Sequence, residues 1–194
     1  MPSLGGVLVY KEEFVEAVER TRRLGLTLPK YGFSDERFLT PEKLQQLPYA
    51  VRDAVGEISL EEVVAKCLSL HYMLLDPLAD FFSTSVVYTI GYVSTPHCNL
   101  YKMTEDNLRN LLKFGLQSFQ LDIHAWVTLP SMEILDFSLA TSMAVINDWN
   151  DGHGAVVAGH ADEFLYGIEY HPMVLGDNIL RKIGALVEFK VWGI

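Results

Sequence analysis

Residues Leu121–Ser138 read LDIHAWVTLPSMEILDFS, and the rest of the fold follows from how they are read. Leu121, Ile123, Ala125, Val127 and Leu129 alternate with Asp122, His124, Trp126 and Thr128, the period-two pattern of a half-buried strand. Pro130 and Ser131 interrupt it, and Glu133–Phe137 resumes an extended apolar run, so the two runs form a β-hairpin. A three-residue loop of Leu129, Pro130 and Ser131 sets His124 directly opposite Asp136. Opposed residues on one face lie about 5 Å apart at Cβ, close enough for a carboxylate to hold an imidazole. A four-residue loop makes the pair diagonal.

On the N-terminal side of the hairpin, Ser85–Val93 (SVVYTIGYV) is β-branched and aromatic, hence a strand. Ser59-Leu60-Glu61-Glu62 has the pattern of a capping box and opens a helix. Val63, Cys67, Leu70 and Leu74 make one apolar stripe along it. Asp76-Pro77 interrupts that helix. Thr104 caps another through Leu108, Leu111 and Leu112 to Gly115. Further upstream, Tyr10–Leu24 is an amphipathic helix ended by Gly25, and Thr40-Pro41-Glu42 starts a short helix through Leu44 and Leu47. Downstream, the reading is a helix over Leu139–Trp149, a loop over Asp148–Gly154, a strand over Phe164–Tyr170, a helix over Gly176–Gly184 and a last strand over Ala185–Trp192. Helices come first and strands mostly later, which makes the chain α+β. Residues 1–56 form a helical preface without chemistry of their own, and residues 57–194 form the core of one compact domain.

The chain has 194 residues, nearly half of them apolar, enough for a substantial core. Its net charge of −10 argues against a nucleic-acid-binding protein, which needs a basic patch to release counterions. Two cysteines, Cys67 and Cys98, are too few for a disulfide scaffold, and no CxxC pair is present. MPSLGGVLVYKEEF lacks the basic start and apolar run of a signal peptide, and no run reaches 18 apolar residues. The expectation is a reduced, cytoplasmic protein without a membrane span. Composition is silent on oligomeric state.

A cysteine acts as a nucleophile only as thiolate, so it needs a base or a helix N-terminus beside it, and the base needs a third group to fix its tautomer. Cys67 on a helix, His124 on a strand and Asp136 on its partner supply those roles in order. The oxyanion would be held by the Cys67 backbone N–H and a second donor, for which Gln45 and Gln46 are candidates. Each piece has a plainer account. A cysteine on an apolar stripe is ordinarily a small buried hydrophobe, and His124 and Asp136 could simply be satisfied sheet residues. Cys98, beside His97, is an alternative nucleophile without a second base. Cys67 with His71 supplies only two metal ligands, and His153, His160 and His171 with Asp151 and Asp162 match no metal spacing. Solvated loop histidines are the simpler account.

The region from Cys67 to Ser138 resembles the transglutaminase-like superfamily of papain-type folds. Cys67 stands where that family has a cysteine opening a long helix. Gly91-Tyr92-Val93, His124-Ala125-Trp126-Val127 and Asp136 match its later motifs. The run CLSLHYMLLDPLADFF, then VVYTIGYV and IHAWV, is also similar to the leader-cleaving cysteine proteases of lasso-peptide maturation. The resemblance implies an antiparallel sheet packed on the nucleophile-bearing helix and a Cys67–His124–Asp136 triad for acyl transfer from an amide. Trp126 would wall the cleft, a peptide or protein would be the substrate, and no metal or organic cofactor would be needed. The rival expectation is a papain-like binding or structural module without a working thiol.

Overall fold

The computed structural model describes residues 10–60, 63, 67–116, 123–164 and 167–185. The described elements run α1 (Tyr10–Arg23), α2 (Pro41–Val55), α3 (Cys67–Met73), α4 (Leu75–Phe82), β1 (Val87–Ser94), β2 (Asn99–Leu100), α5 (Glu105–Phe114), β3 (His124–Thr128), β4 (Glu133–Asp136), α6 (Leu139–Ile146), β5 (Val157–His160), a 3₁₀ turn (Ala161–Glu163), β6 (Glu169–Leu175) and α7 (Asn178–Lys182). The architecture is mixed α+β around one antiparallel sheet. Among the described residues no helix is long and apolar enough to cross a membrane.

Strand β1 is the spine. β6 pairs along one edge of it, with Thr89 opposite Leu175 and Ser94 opposite Glu169. β3 pairs along the other edge, from Val87–Thr128 to Gly91–His124. β2 then takes over that same edge, pairing Val93 with Leu100. β4 and β5 extend the sheet beyond β3. The end-to-end placement of β2 and β3 brings Tyr101, just past β2, to His124, the first residue of β3. The β1–β6 pairing shifts by one residue at Ile90/Gly91, and the chain is tight there. A Cβ on Gly91 would lie 2.0 Å from the His171 carbonyl oxygen and 2.6 Å from the Trp126 ring, so only glycine fits.

Helices cover both faces. Tyr10, Phe14, Ala17 and Val18 of α1 pack on Val87, Trp126, Ile134 and Leu175. Leu70, Leu74, Leu78 and Phe82 of α3 and α4 pack on Val127, Leu129 and Leu135. Tyr88, Ile90, Ala125 and Val174 join Ile179 and Leu180 of α7. All five residues of β3 are therefore buried, which corrects the half-buried strand expected from its alternation. The polar face is covered by α1, whose Tyr10 hydroxyl accepts from the Trp126 indole at 2.8 Å and bonds Thr128 at 2.8 Å. The N-terminal preface is thus part of the same core.

The hairpin loop is three residues long but shifted by one from the expected position. Leu129 N–H donates to the Glu133 carbonyl at 2.9 Å, Pro130–Met132 make the turn, and Met132 sits in the left-handed region at φ 63. Thr128 consequently pairs with Ile134, and His124 and Asp136 are diagonal rather than directly opposed. Glu133, buried beside this turn, accepts from Phe38 N–H at 2.8 Å and Leu39 N–H at 3.2 Å, fastening the segment before α2 to the sheet.

The helix caps read from sequence hold their roles: Thr40 accepts from Lys43 N–H, and Thr104 with Asn107 forms a capping box. Leu60 and Val63 are helical, with Val63 N–H on the Ser59 carbonyl at 3.1 Å; Glu61 and Glu62 lie outside the described residues. Two readings need correction. The strand expected over Phe164–Tyr170 instead spans Glu169–Leu175, and Val157–His160, to which no element was assigned, is a strand pairing β4. Pro172 within β6 masked its strand pattern, and Gly159 with the short four-residue run masked that of β5. The last expected strand lies, apart from Ala185, outside the described residues.

Candidate active site

The site forms where α3, the start of β3 and the end of β4 meet. Leu70 of α3 and Leu74 just after it are buried against the sheet, which leaves Cys67 half-buried at the helix edge facing β3. The Cys67 side chain lies close enough to the His124 ring to help hold it charged. The ring's Nε2 is 2.6 Å from Asp136 Oδ2, so Nδ1 is the nitrogen left to the thiol. Cys67, His124 and Asp136 are thereby brought into one chain of contacts, the last two almost completely buried.

Asp136 is held from every side. Its Oδ2 also accepts from the Tyr170 hydroxyl at 2.9 Å. Its Oδ1 accepts from Ser138 N–H at 3.0 Å, Ser138 hydroxyl at 3.2 Å and Leu139 N–H at 3.0 Å, capping the first turn of α6. Burial by itself pushes this carboxyl up, but the charge and hydrogen bond of His124 outweigh it and hold it well below the usual range. Burial likewise opposes charge on His124. The Asp136 carboxylate, with the Cys67 sulfur adding to it, nevertheless raises the ring to about 9. Thus His124 stands as an imidazolium at neutral pH, clamped in the orientation that presents Nδ1–H to sulfur. That is the partner a thiolate requires.

His71, fully buried one turn after Cys67, ties the helix to the hairpin. Its Nδ1 donates to the Cys67 carbonyl at 2.8 Å, and its Nε2 accepts Phe137 N–H at 3.0 Å. A neutral ring with its proton on Nδ1 satisfies both partners. The Tyr101 ring lies over His124, with centroids 5.1 Å apart and planes 14° apart, and its backbone takes the left-handed φ of 60 that a bulky residue ordinarily avoids.

Several expectations from sequence fall elsewhere. Trp126 does not wall a cleft. Its side chain is wholly buried, its N–H is given to Tyr10, and its ring sits 6.0 Å from that of His124 on the core side. Gln45 and Gln46 are exposed on α2, which packs on α4. Cys98 is exposed in the β1–β2 turn, its sulfur 3.6 Å from Thr95 Oγ1. The C-terminal histidines are separated. His153 bonds the Trp149 carbonyl, His160 faces Asp162, and His171 lies between Glu13 and Ser94. Sequence reasoning missed the structural roles of His71, Tyr101, Ser138 and Tyr170. Only His71 had a signal, its four-residue step from Cys67.

The chain matches no protein-family model, and searches of curated proteins and of solved structures return no match.

Proposed function

We propose that this protein is a cysteine-dependent amide hydrolase or acyltransferase on a papain-like, transglutaminase-like core. The observation that carries this reading is one imidazole set between a neighbouring thiol and a buried carboxylate that hydrogen-bonds it. In the reaction, the Cys67 thiolate attacks the amide carbonyl of a peptide or protein substrate. His124 then gives its proton to the departing nitrogen as the C–N bond breaks, leaving a thioester on Cys67. His124 next takes a proton from water or an acceptor amine, whose attack releases the acyl group and restores the thiolate. Asp136 keeps the ring in register throughout.

A second reading, a binding module on the same scaffold, is favoured by one observation: His124 is only 1% exposed and lies beneath Tyr101. The two readings separate by alkylation of each cysteine with iodoacetamide against pH, followed by peptide mass spectrometry. An activated Cys67 reacts below neutral pH, well ahead of Cys98, and His124→Ala abolishes the difference. A Cys67 that stays inert until the protein unfolds sinks the enzyme reading and leaves the binding module.

A further inference from the structure

β6 carries a second imidazole held between a hydroxyl and a carboxylate. Along the edge of β1 opposite β3, His171 pairs with Tyr92 and Glu169 with Ser94, so Ser94 and His171 are diagonal neighbours on one face of the sheet. The Ser94 hydroxyl donates to His171 Nε2 at 2.9 Å. On its other side the ring's Nδ1–H donates to the Glu13 carboxylate of α1, 2.9 Å from Oε2 and 3.1 Å from Oε1. The tautomer protonated at Nδ1 satisfies both bonds. Tyr92 stacks on the imidazole with centroids 4.5 Å apart and planes 20° apart, which fixes the plane of the ring. Ser94 is half-buried at the end of β1, and the His171 and Glu13 side chains are each 18% exposed, so small solutes can reach the chain of groups.

Hydroxyl, imidazole and carboxylate in this order are a nucleophile, its base and the group that orients the base, a constellation recognised by geometry rather than by sequence position. We propose that Ser94, His171 and Glu13 form a second acyl-transfer site, which takes the acyl group of a small neutral or cationic ester. His171 Nε2 accepts the Ser94 proton as Oγ bonds the ester carbonyl carbon. The bond from that carbon to the alcohol oxygen then breaks, and His171 returns the proton to the departing alkoxide. Water, giving a proton to His171, next releases the acid and restores Ser94. Glu13 acts through the ring as a positioning residue. An alkoxide leaves far more readily than an amide nitrogen, so these three groups suit an ester, where an amide calls for further oxyanion donors. Glu169 Oε2, 3.4 Å from Ser94 Oγ, and the Glu13 carboxylate place negative charge at the site, which disfavours anionic esters. The site shares no residue with Cys67, His124 and Asp136 and stands independently of the reading above.

The test treats the full chain with a neutral alkyl fluorophosphonate, which bonds Oγ to phosphorus as fluoride leaves, and reads the adduct at Ser94 by peptide mass spectrometry. The adduct should form in the folded protein, and His171→Gln should slow it by roughly 100-fold or more, the share a general base supplies. Glu13→Gln keeps the shape of the side chain and should also slow it. Glu13→Asp keeps the carboxylate and should retain more of the rate than Glu13→Gln, an order that a purely structural tie between α1 and β6 would not produce. Methyl 4-acetoxybenzoate and its anionic counterpart 4-acetoxybenzoate, each normalised to its rate with free imidazole, then test the substrate. Hydrolysis of the neutral ester should be the faster and should fall in Ser94→Ala. Thermal melts establish that each variant is folded, and the Glu13 pair decides should His171→Gln fail to fold. No Ser94 adduct in the folded protein, or one that forms as fast in the folded variants as in wild type, overturns the proposal. An adduct without Ser94-dependent ester hydrolysis, or a faster anionic ester, overturns the substrate class.

Discussion

Replacing Asp136 by asparagine tests the electrostatics of the site most directly. In the folded protein His124 is raised from 6.5 to about 9, so the native state binds that proton more tightly than the unfolded chain. The resulting stabilisation is complete below the ordinary histidine pKa and drains away as pH climbs through about 9. At about 1.4 kcal/mol for each unit, the loss across that window comes to about 3 kcal/mol. For a domain of this size, this corresponds to a fall in Tm of about 6–12 °C. The Asp136→Asn side chain preserves the shape and can still accept from Ser138 and Leu139. Its amide nitrogen then faces His124 and Tyr170, which removes the charge and holds the ring as a neutral tautomer with its proton on Nδ1. The variant should therefore melt lower than wild type by most of that amount near pH 6 and by little near pH 9. Its Tm should also lack the wild-type decline between those points. Thermal melts followed by circular dichroism from about pH 5 to 9.5 at fixed ionic strength supply the comparison. Parallel curves for the two proteins, offset by a constant, would falsify the claim that Asp136 sets the charge state of His124.

Three further outcomes follow from the packing around the site. Gly91→Ala has no room beside the His171 carbonyl and the Trp126 ring; it should cost at least about 3 kcal/mol, seen as a large drop in Tm or as insoluble protein. Tyr10→Phe strips the Trp126 indole N–H of its acceptor in a buried setting and should cost about 1–3 kcal/mol. The check is the urea midpoint followed by tryptophan fluorescence. Tyr170→Phe removes one donor from Asp136 Oδ2, for a loss of about 1–2 kcal/mol. If its melting curve matches wild type, water or the remaining donors replace the hydroxyl.

Whatever depends on neighbours along the chain was legible in the residues alone. The cap residues Thr40 and Thr104 satisfy N–H groups within three positions, so their helices begin where the local pattern says. The alternation around His124 put that residue and Asp136 on one face, and the Cys67–Leu70–Leu74 steps set one helical stripe. Whatever depends on contacts between distant segments had to wait for the folded chain. Only the register of Leu129 with Glu133 fixes His124 and Asp136 as a diagonal pair, because a one-residue shift of the turn moves every partner in the hairpin. Only the packing of α1 across the sheet turns Trp126 from a cleft wall into a core residue. The clamp on Asp136 draws on Tyr170, 34 residues further along the chain, and His71 joins α3 to the hairpin across 66. Charge states follow the same division: residue types name the groups that can titrate, and burial with the partners that folding delivers sets where they do.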